Sequence, residues 1–178
     1  MSNGEVIDSP LFLESKLKQL RILQRHLSRQ KLNSNSRAKT KQRIAKLHLK
    51  INNQRKDFLH KESTKIANRF TSCYIEDLKL QDMKKINSTL TRRMSDSGFG
   101  TFKTFLQYKF KERGNVVVLV NPAYTSQTCS ACNSVDKKSR LSQSEFVCTS
   151  CGHVDNADLN AAKTVSYTHL TLPTKRIV

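Results

Sequence analysis

The chain has 178 residues, enough for one ordinary domain with a small insert, and its 32 Lys/Arg against 14 Asp/Glu give a formal net charge of +18. Such an excess favours a polyanionic partner, and nucleic acid is the first candidate. No apolar run approaches the roughly 18 residues that cross a bilayer. The N-terminus also lacks the basic-then-apolar order of a secretory signal, so we expect a cytoplasmic protein without a membrane partner.

The N-terminal third predicts a short strand followed by a helical hairpin. The strand is expected at residues 5–7, after a turn at residues 3–4. Two amphipathic helices then fill residues 11–70 on either side of the polar turn 33–36, with Ser36 as the expected N-cap of the second helix. Helices joined by so short a turn should pack antiparallel. Their apolar stripes are Leu13, Leu17, Leu20 and Leu27 in the first helix and Ile44, Leu47, Ile51 and Phe58 in the second.

This hairpin is also the most basic part of the chain, with seventeen Lys/Arg and three Asp/Glu between Glu14 and Arg69. A run of charge is often only a solvated outer face, and that interpretation stays open. However, a face so one-sided repels itself unless a polyanion neutralises it. We therefore expect the hairpin to contact nucleic acid.

The middle of the chain predicts a strand, a helix and a second strand. Residues 73–78 form the first strand, and a polar stretch follows at residues 81–97. The helix ends at Gly114, which suits a left-handed C-terminal cap. The aliphatic run 116–120 is typical of a strand buried on both faces. This order indicates a parallel crossover and hence an α/β fold. The apolar face of the helix is Phe99, Phe102, Leu106 and Phe110.

Four of the five cysteines form two CxxC pairs, Cys129 with Cys132 and Cys148 with Cys151, separated by fifteen residues. That spacing is typical of a four-thiolate Zn²⁺ site, and a closed tetrahedron has no open position, so the zinc should be structural. The alternatives are two disulfides or two unrelated redox motifs, but thiols inside a cell stay reduced and the spacing fits one closed site. The polar stretch 133–147 predicts a β-hairpin arm that buries almost nothing alone, so the metal should supply much of its folding free energy.

Two residues that follow the second pair, and the fifth cysteine, are not expected to bind the metal. Gly152 suits the sharp turn after the second pair. His153 is not expected to bind the metal, because four thiolates already fill the tetrahedron. Cys73, inside the strand predicted at residues 73–78, is expected to be a small buried apolar residue.

Several runs together resemble the TnpB/OrfB proteins of insertion sequences, a family related to the effector nucleases of type V CRISPR systems. The resemblance covers residues 1 to about 165 and implies an RNase H-like, RuvC-type nuclease domain, incomplete here, with a long antiparallel helical hairpin and an inserted four-cysteine zinc ribbon. The runs are NGEVID, RKDFLHKESTKIA, YIEDL, SDSGFGTF, NPAYTSQTCSAC, FVCTSCG and NADLNAA.

The resemblance also implies a catalytic centre in which three carboxylates hold two divalent ions, usually Mg²⁺. Glu76 in YIEDL and Asp158 in NADLNAA correspond to the second and third carboxylates. Asp77 points to the opposite face of its strand and is not included. Asp155 is expected either to hold a site residue in place or to act as a capping residue. DNA and a guide RNA are the partners that the resemblance implies.

The first carboxylate of the family precedes the run that matches NGEVID, and Asp8 does not match its motif. We therefore expect this chain to be inactive or nearly so as an endonuclease, with a non-enzymatic nucleic-acid-binding zinc-ribbon protein as the alternative. The expected segments are a partial nuclease domain at residues 1–125, the zinc ribbon at 126–154, a final helix segment at 155–165 and a tail at 166–178. The tail resembles translated adapter sequence and is expected to be non-native.

Overall fold

The computed structural model describes residues 1–78, 91 and 95–167, and the chain divides into two compact units. The helical unit consists of Ser9–Thr71 and Lys79–Val116, and the ribbon unit consists of Met1–Asp8, Ser72–Leu78 and Val117–Val178. No helix within the described ranges is long and apolar enough to span a membrane. The described elements are α1 (Leu17–Arg29), α2 (Asn35–Arg69), β1 (Ser72–Glu76), α3 (Phe99–Glu112), β2 (Val116–Val120), β3 (Glu145–Val147), β4 (Val154–Asn156) and α4 (Ala157–Tyr167), with 3-10 turns at Glu14–Lys16 and Lys137–Ser139.

Helices α1 and α2 form the predicted antiparallel hairpin. The stripes meet in a small core of Leu20, Leu47 and Ile51, against which further apolar side chains pack. With 35 residues, α2 is about 52 Å long and therefore extends well beyond the 13-residue α1. The partly buried members of this core are Phe12, Leu13, Leu23 and Ile44.

The turn between the two helices corrects the predicted N-cap. Ser34, not Ser36, is the N-cap of α2, and its Oγ accepts the backbone N–H of Arg37 at 3.2 Å. Asn33 adopts a left-handed conformation (φ +60°), which ends the turn one residue before the cap. Arg37 in turn donates to the carbonyl oxygens of Leu27 at 2.6 Å and Gln30 at 3.2 Å. This cation at the C-terminus of α1 complements the helix dipole.

Helix α3 packs along the second half of α2, where Leu106 and Phe110 are fully buried. Gly98 directly precedes α3 with φ +66°, and a Cβ there would lie 2.8 Å from the side chain of Leu59. Only glycine meets both the backbone conformation and the close approach of the two helices. The predicted cap at Gly114 is confirmed: its φ is +69°, and the next residue donates to the carbonyl of Phe110 at 2.8 Å.

A buried ion pair lies at the start of α3. Asp96 is 3% exposed, and its carboxylate accepts from the Arg55 guanidinium of α2 and from the backbone N–H of Leu13 at 3.0 Å. Residue 96 belongs to the polar stretch predicted at residues 81–97, most of which lies outside the described residues. The carboxylate therefore ties three segments of the helical unit together.

Strands β1 and β2 pair in a two-stranded sheet. The Thr71 carbonyl accepts from Val116 N–H at one end, and Asp77 N–H donates to the Val120 carbonyl at the other, so the two strands run parallel as predicted. The prediction that β2 is buried on both faces is wrong. Val120 is 3% exposed but Val116 is 57% exposed, because the described sheet has only two strands and leaves β2 at an edge.

The predicted strand at residues 5–7 is also absent from the described structure. The preceding turn is confirmed, with Gly4 at φ +84° and its N–H bonded to the Met1 carbonyl at 3.0 Å. Val6, however, is 77% exposed. Burial of an apolar side chain therefore does nothing to stabilise strand pairing here.

Between the two cysteine pairs the chain forms a compact arm instead of a long hairpin. Single antiparallel bridges join Thr128 to Val135 and Arg140 to Phe146, with a 3-10 turn between them. Strand β3 then pairs with β4, which lies beyond the second cysteine pair. Phe146 of the arm is completely buried, but its core neighbours Cys129, Cys148 and Ala157 all lie outside residues 133–147.

Helix α4 lies against β1 and against the β3–β4 pair. Asn156 caps it, since its side-chain oxygen accepts the backbone N–H groups of Asp158 at 3.0 Å and Leu159 at 3.2 Å. The helix ends at Tyr167, two residues beyond the predicted end at 165. The rest of the predicted tail lies outside the described residues.

Candidate metal centre and nucleic-acid interface

The sulfur atoms of all four CxxC cysteines lie within 4.8 Å of one another. The Sγ atoms of Cys129 and Cys151 are 3.7 Å apart, and those of Cys132 and Cys148 are 3.6 Å apart. A tetrahedron with metal–sulfur bonds of about 2.3 Å has edges of about 3.8 Å, whereas a disulfide bond is about 2.05 Å long. The four free thiols therefore match a closed metal site and not the disulfide alternative.

Each CxxC pair forms the same tight turn. In the first, Asn133 is left-handed (φ +59°) and its N–H donates to the Cys129 carbonyl at 2.9 Å, while Cys129 N–H donates to the Ser134 carbonyl at 2.9 Å. Sequence reasoning did not single out Asn133, although asparagine tolerates this conformation better than most residues.

The second turn repeats these bonds with glycine in the special position. Gly152 has φ +73° and its N–H donates to the Cys148 carbonyl at 3.0 Å, as expected for the residue after the pair. Cys148 N–H donates to the carbonyl of His153 at 2.8 Å. His153 therefore contributes backbone to the turn and does not belong to the converging sulfur group.

The thiols differ strongly in acidity. The pKa of Cys148 falls to about 6, mainly because the backbone N–H of Cys151 donates to its sulfur. The His153 backbone N–H acts in the same direction on Cys151, but hydrogen bonds with Cys132 and burial outweigh it and raise the pKa of Cys151 to about 12. Four thiolates this close repel one another, and a divalent cation removes that cost by binding them all.

A small core supports the metal site from below. It consists of two of the cysteines, Cys129 and Cys148, with Phe146 of β3 and Ala157 of α4. Asn160 of α4 is completely buried and holds the first turn by two hydrogen bonds: it donates to the Thr128 carbonyl at 2.8 Å and accepts from Ser130 N–H at 2.9 Å. Sequence reasoning missed Asn160, although a polar residue directly before two alanines in a short helix was an available signal.

Glu76 is the last residue of β1. Its Oε1 accepts the hydroxyl of Thr125 at 2.5 Å, and Thr125 is 8% exposed. The same hydroxyl lies 3.1 Å from the Pro122 carbonyl. A hydroxyl has one proton, and the bond to a carboxylate is the stronger of the two. The segment before the cysteines therefore fixes the orientation of the Glu76 carboxylate.

Asp158 lies in the first turn of α4 and its side chain is 77% exposed. Its Oδ1 accepts from the Arg140 guanidinium at 3.1 Å, so the arm of the ribbon reaches the start of this helix. Nearby, Asp155 accepts from Lys163 at 2.7 Å. Burial raises the pKa of Asp155, but the bonds from Lys163 and the Asn156 backbone N–H outweigh burial and hold it below its usual value.

Within the described ranges, the four cysteines are the group of three or more metal-ligating side chains that converges. Neither Glu76 nor Asp158 belongs to such a group in that part of the chain. Cys73 of β1 is half-buried, and burial raises the pKa of its thiol to about 11, in keeping with the expected apolar role.

The charge of the chain divides between the two units. In the described residues, the helical unit carries 21 Lys/Arg against five Asp/Glu, and the ribbon unit carries four against eight. The first half of α2 contributes a row of exposed cations spaced by four, three and four residues, which places them on one helix face about 16 Å long. We call this row the α2 basic stripe; its members are Lys39, Arg43, Lys46 and Lys50.

The second half of α2 is different, because two of its exposed lysines are paired. Lys61 lies 2.7 Å from Asp57, and Lys65 lies 2.7 Å from Glu62. No member of the α2 basic stripe has an ion-pair partner among the residues that the structure describes. The stripe is therefore the candidate surface for phosphate groups.

Known proteins match almost the whole chain. The profile of the Cas12f1-like TNB domain matches residues 99–165, and the OrfB_IS605 profile, described as "Probable transposase", matches residues 1–87. The chain is 38% identical to "Putative RNA-guided DNA endonuclease InsQ" of Escherichia coli K12 over 93% of its length and 44% of that protein. It is 32% identical to "Putative RNA-guided DNA endonuclease" of Streptomyces pristinaespiralis over 93% of its length and 41% of that protein.

The fold also resembles a solved structure. The Cas12f1 chain in the cryo-EM structure of the Cas12f1-sgRNA-target DNA complex matches 87% of this chain with a TM-score of 0.59 and 24% identity, over 41% of its own length. At that identity the likeness shows the mixed α/β fold alone. The chain thus spans less than half the length of each of these relatives.

Proposed function

Since the chain belongs to the TnpB/OrfB family of insertion-sequence transposon proteins, we propose that it is a DNA-binding part of a metal-dependent, RNA-guided DNA endonuclease with an RNase H-like, RuvC-type fold. The observation that carries this proposal is the division of charge. A basic helical unit suits phosphate backbones, and an acidic ribbon unit suits divalent cations. The family does not favour the alternative of a non-enzymatic zinc-ribbon protein.

The metal of the four-cysteine site is, in this proposal, Zn²⁺. The donor set supports it, because four thiolates at tetrahedral spacing suit zinc, and oxygen-seeking ions such as Mg²⁺ avoid sulfur. Zinc bound by four protein ligands has no position for a substrate. Its role is to order the two cysteine turns and the arm that carries Arg140 to Asp158.

Glu76 and Asp158 are the proposed catalytic carboxylates. Their oxygens suit a hard cation, and Mg²⁺ bound there would polarise a phosphodiester and lower the pKa of an attacking water. Thr125 orients Glu76, and Arg140 neutralises Asp158 until a cation replaces it.

Two carboxylates bind a pair of cations weakly. Within residues 1–78, 91 and 95–167, neither Glu76 nor Asp158 belongs to a group of three or more converging metal-ligating side chains. We therefore expect the chain, incubated with Mg²⁺ and either plain or guide-loaded DNA, to cleave little. Robust cleavage that disappears in Glu76→Gln would contradict this part of the proposal.

The nucleic-acid contact is tested by its dependence on salt. Each phosphate contact contributes about 0.9 to the slope of log affinity against log salt on duplex DNA. We expect the double variant Lys39→Gln/Lys46→Gln to lower that slope by about 2, measured by fluorescence anisotropy of a labelled 20-bp duplex between 50 and 200 mM salt.

The matched control is Lys61→Gln/Lys65→Gln, which removes the same charge from the same helix. Its lysines already pair with Asp57 and Glu62, so we expect the slope to change little. If both double variants lowered the slope equally, only the net charge would matter and the α2 basic stripe would not be the binding surface.

A further inference from the structure

Tyr124 has a backbone conformation that a bulky residue avoids. Its φ is +63°, in the left-handed region. The conformation is fixed by the turn that follows, because the Tyr124 carbonyl accepts from Gln127 N–H at 2.9 Å and from the N–H and hydroxyl of Thr128 at 3.0 and 2.9 Å. The turn demands the left-handed backbone but not a tyrosine, since glycine or asparagine adopts it with less strain.

The free-energy cost of this conformation is not offset by burial of the aromatic ring. Tyr124 is 65% exposed, more than the exposed tyrosines Tyr167 at 53% and Tyr108 at 37%. Strained residues of this kind cluster at ligand-binding and catalytic sites. The ring is thus held in solvent by a rigid turn, which is the arrangement that a stacking platform needs.

The position of Tyr124 in the chain connects it to Glu76. The adjacent residue, Thr125, donates its hydroxyl to the Glu76 carboxylate at 2.5 Å. Consecutive Cα atoms are about 3.8 Å apart, so the backbone of Tyr124 lies next to the residue that holds the Glu76 carboxylate. Both residues belong to the ribbon unit.

The charge of the ribbon unit limits how a nucleic-acid strand could be bound next to Tyr124. With four Lys/Arg against eight Asp/Glu in its described residues, this unit repels a phosphate backbone. A contact that depends on phosphate neutralisation is therefore unfavourable here. Stacking on an aromatic ring needs no positive charge and tolerates any base.

We propose that Tyr124 is a base-stacking residue that positions an unpaired DNA strand beside Glu76. The role of the strand as substrate rests on the proposed function, but the stacking contact itself does not. Bases in a duplex are stacked on one another and are not available to the ring, so the contact is specific for single-stranded DNA.

The test compares Tyr124→Gly and Tyr124→Phe in binding to a labelled dT12 oligonucleotide and to a 20-bp duplex. Base–aromatic stacking of 1–3 kcal/mol corresponds to a loss of affinity on the order of 5- to 150-fold. We expect Tyr124→Gly to lose this much on dT12 at every salt concentration, with an unchanged salt slope. Tyr124→Phe keeps a ring and should bind dT12 nearly as well as the unmodified chain.

Two controls separate stacking from damage to the fold. Tyr124→Gly relieves the backbone strain, so its thermal midpoint should equal or exceed that of the unmodified chain, and its duplex affinity should not change. Tyr167→Ala removes another exposed tyrosine of the same unit, at the end of α4, and should not affect dT12 binding.

Unchanged dT12 affinity in Tyr124→Gly, an equal loss in Tyr124→Phe, or an equal loss on duplex DNA would each overturn the inference. These outcomes are distinct from failure of the proposed function. That failure would appear in the duplex salt slope of Lys39→Gln/Lys46→Gln, which does not depend on Tyr124.

Discussion

The helical unit and the ribbon unit are stabilised by different forces and carry opposite charge. The helical unit has a described net charge of +16 and a core in which α1 and α3 pack on α2 through leucine, isoleucine and phenylalanine side chains. The ribbon unit has a described net charge of −4, and the core beneath its metal site contains two metal-ligating cysteines beside Phe146 and Ala157. One unit is stabilised by buried apolar surface, and we expect the other to need a cation.

This difference in charge indicates that the helical unit provides affinity for nucleic acid and that the ribbon unit provides groups for cation binding. A polyanion is attracted to the cations of the helical unit over distances of about a Debye length. The carboxylates of the ribbon unit, by contrast, suit cations, and we expect its proposed contact with a nucleic-acid strand to depend on stacking or on a bound metal. A perturbation of one unit should therefore leave the property of the other largely intact.

Removal of the metal should have the largest effect on stability and should unfold only part of the ribbon unit. We expect one metal ion per purified chain, and chelation should unfold residues 126–154, since metal binding contributes on the order of 10 kcal/mol in isolated zinc modules. Elemental analysis measures the stoichiometry, and limited proteolysis with mass spectrometry locates the opened segment. The circular dichroism of α1 to α3 should persist.

Two variants frame this experiment. Cys148→Ala should lose the metal and show the same proteolytic cuts without a chelator. Cys73→Ala removes the cysteine outside the converging group and should retain one ion per chain. A ribbon that stays protected after complete loss of the metal would show that its small core is sufficient.

Truncation of a core side chain should destabilise the helical unit alone. Phe110 of α3 is completely buried against α2, and Phe110→Ala should lower the free energy of unfolding by about 3–5 kcal/mol. Phe102→Ala, on the same helix but only half-buried, should cost clearly less. Urea unfolding followed by circular dichroism measures both, and the metal content should stay unchanged. Equal losses would mean that burial does not decide the stability of α3.

The features predicted correctly from sequence are those whose cause is local or periodic. Leucines and isoleucines at helical spacing predicted the α1–α2 core, and two CxxC pairs predicted the sulfur cluster, because each pattern is complete within its own segment. The parallel pairing of β1 and β2 followed from the order strand, helix, strand. Gly114 and Gly152 were predicted from the turns that only a left-handed residue completes.

The features that were missed depend on partners elsewhere in the chain. Residues 5–7 have strand-like composition, but composition does not supply a pairing partner. The exposure of Val116 depends on how many strands join the sheet. Asn160 acquires its role only when α4 is placed against Thr128 and Ser130.

The corrected N-cap gives a smaller test within the helical unit. Ser34→Ala removes the oxygen that accepts from Arg37 N–H and should cost about 1 kcal/mol. Ser36→Ala is the matched control: it removes only an exposed hydrogen bond from the Gln30 side chain, and alanine is a better helix former. Urea unfolding measures both variants. A larger loss for Ser36→Ala would restore the N-cap predicted from sequence.

The smallest expected effect is the dependence of the helical unit on pH through Lys109. This lysine is 6% exposed and donates to the His60 carbonyl and to the hydroxyls of Ser63 and Thr64 at 2.6–2.7 Å. Burial, with a smaller contribution from Arg113, lowers its pKa below the usual 10.5. Between the lowered pKa and 10.5 the unfolded chain binds more protons than the folded chain, so stability rises with pH in that window.

The measurement is the urea midpoint of the helical signal at several pH values up to 10, for the unmodified chain and for Lys109→Met. Methionine has no titrating group, so the rise attributable to Lys109 should be absent from the variant, and the stability of the unmodified chain relative to it should increase as the pH increases. A relative stability that fell with pH would mean that the three oxygen acceptors favour the ammonium form more than burial disfavours it. In that case the helical unit would hold a buried cation as a stabilising group, and its contrast with the cation-dependent ribbon unit would be weaker than the apolar core suggests.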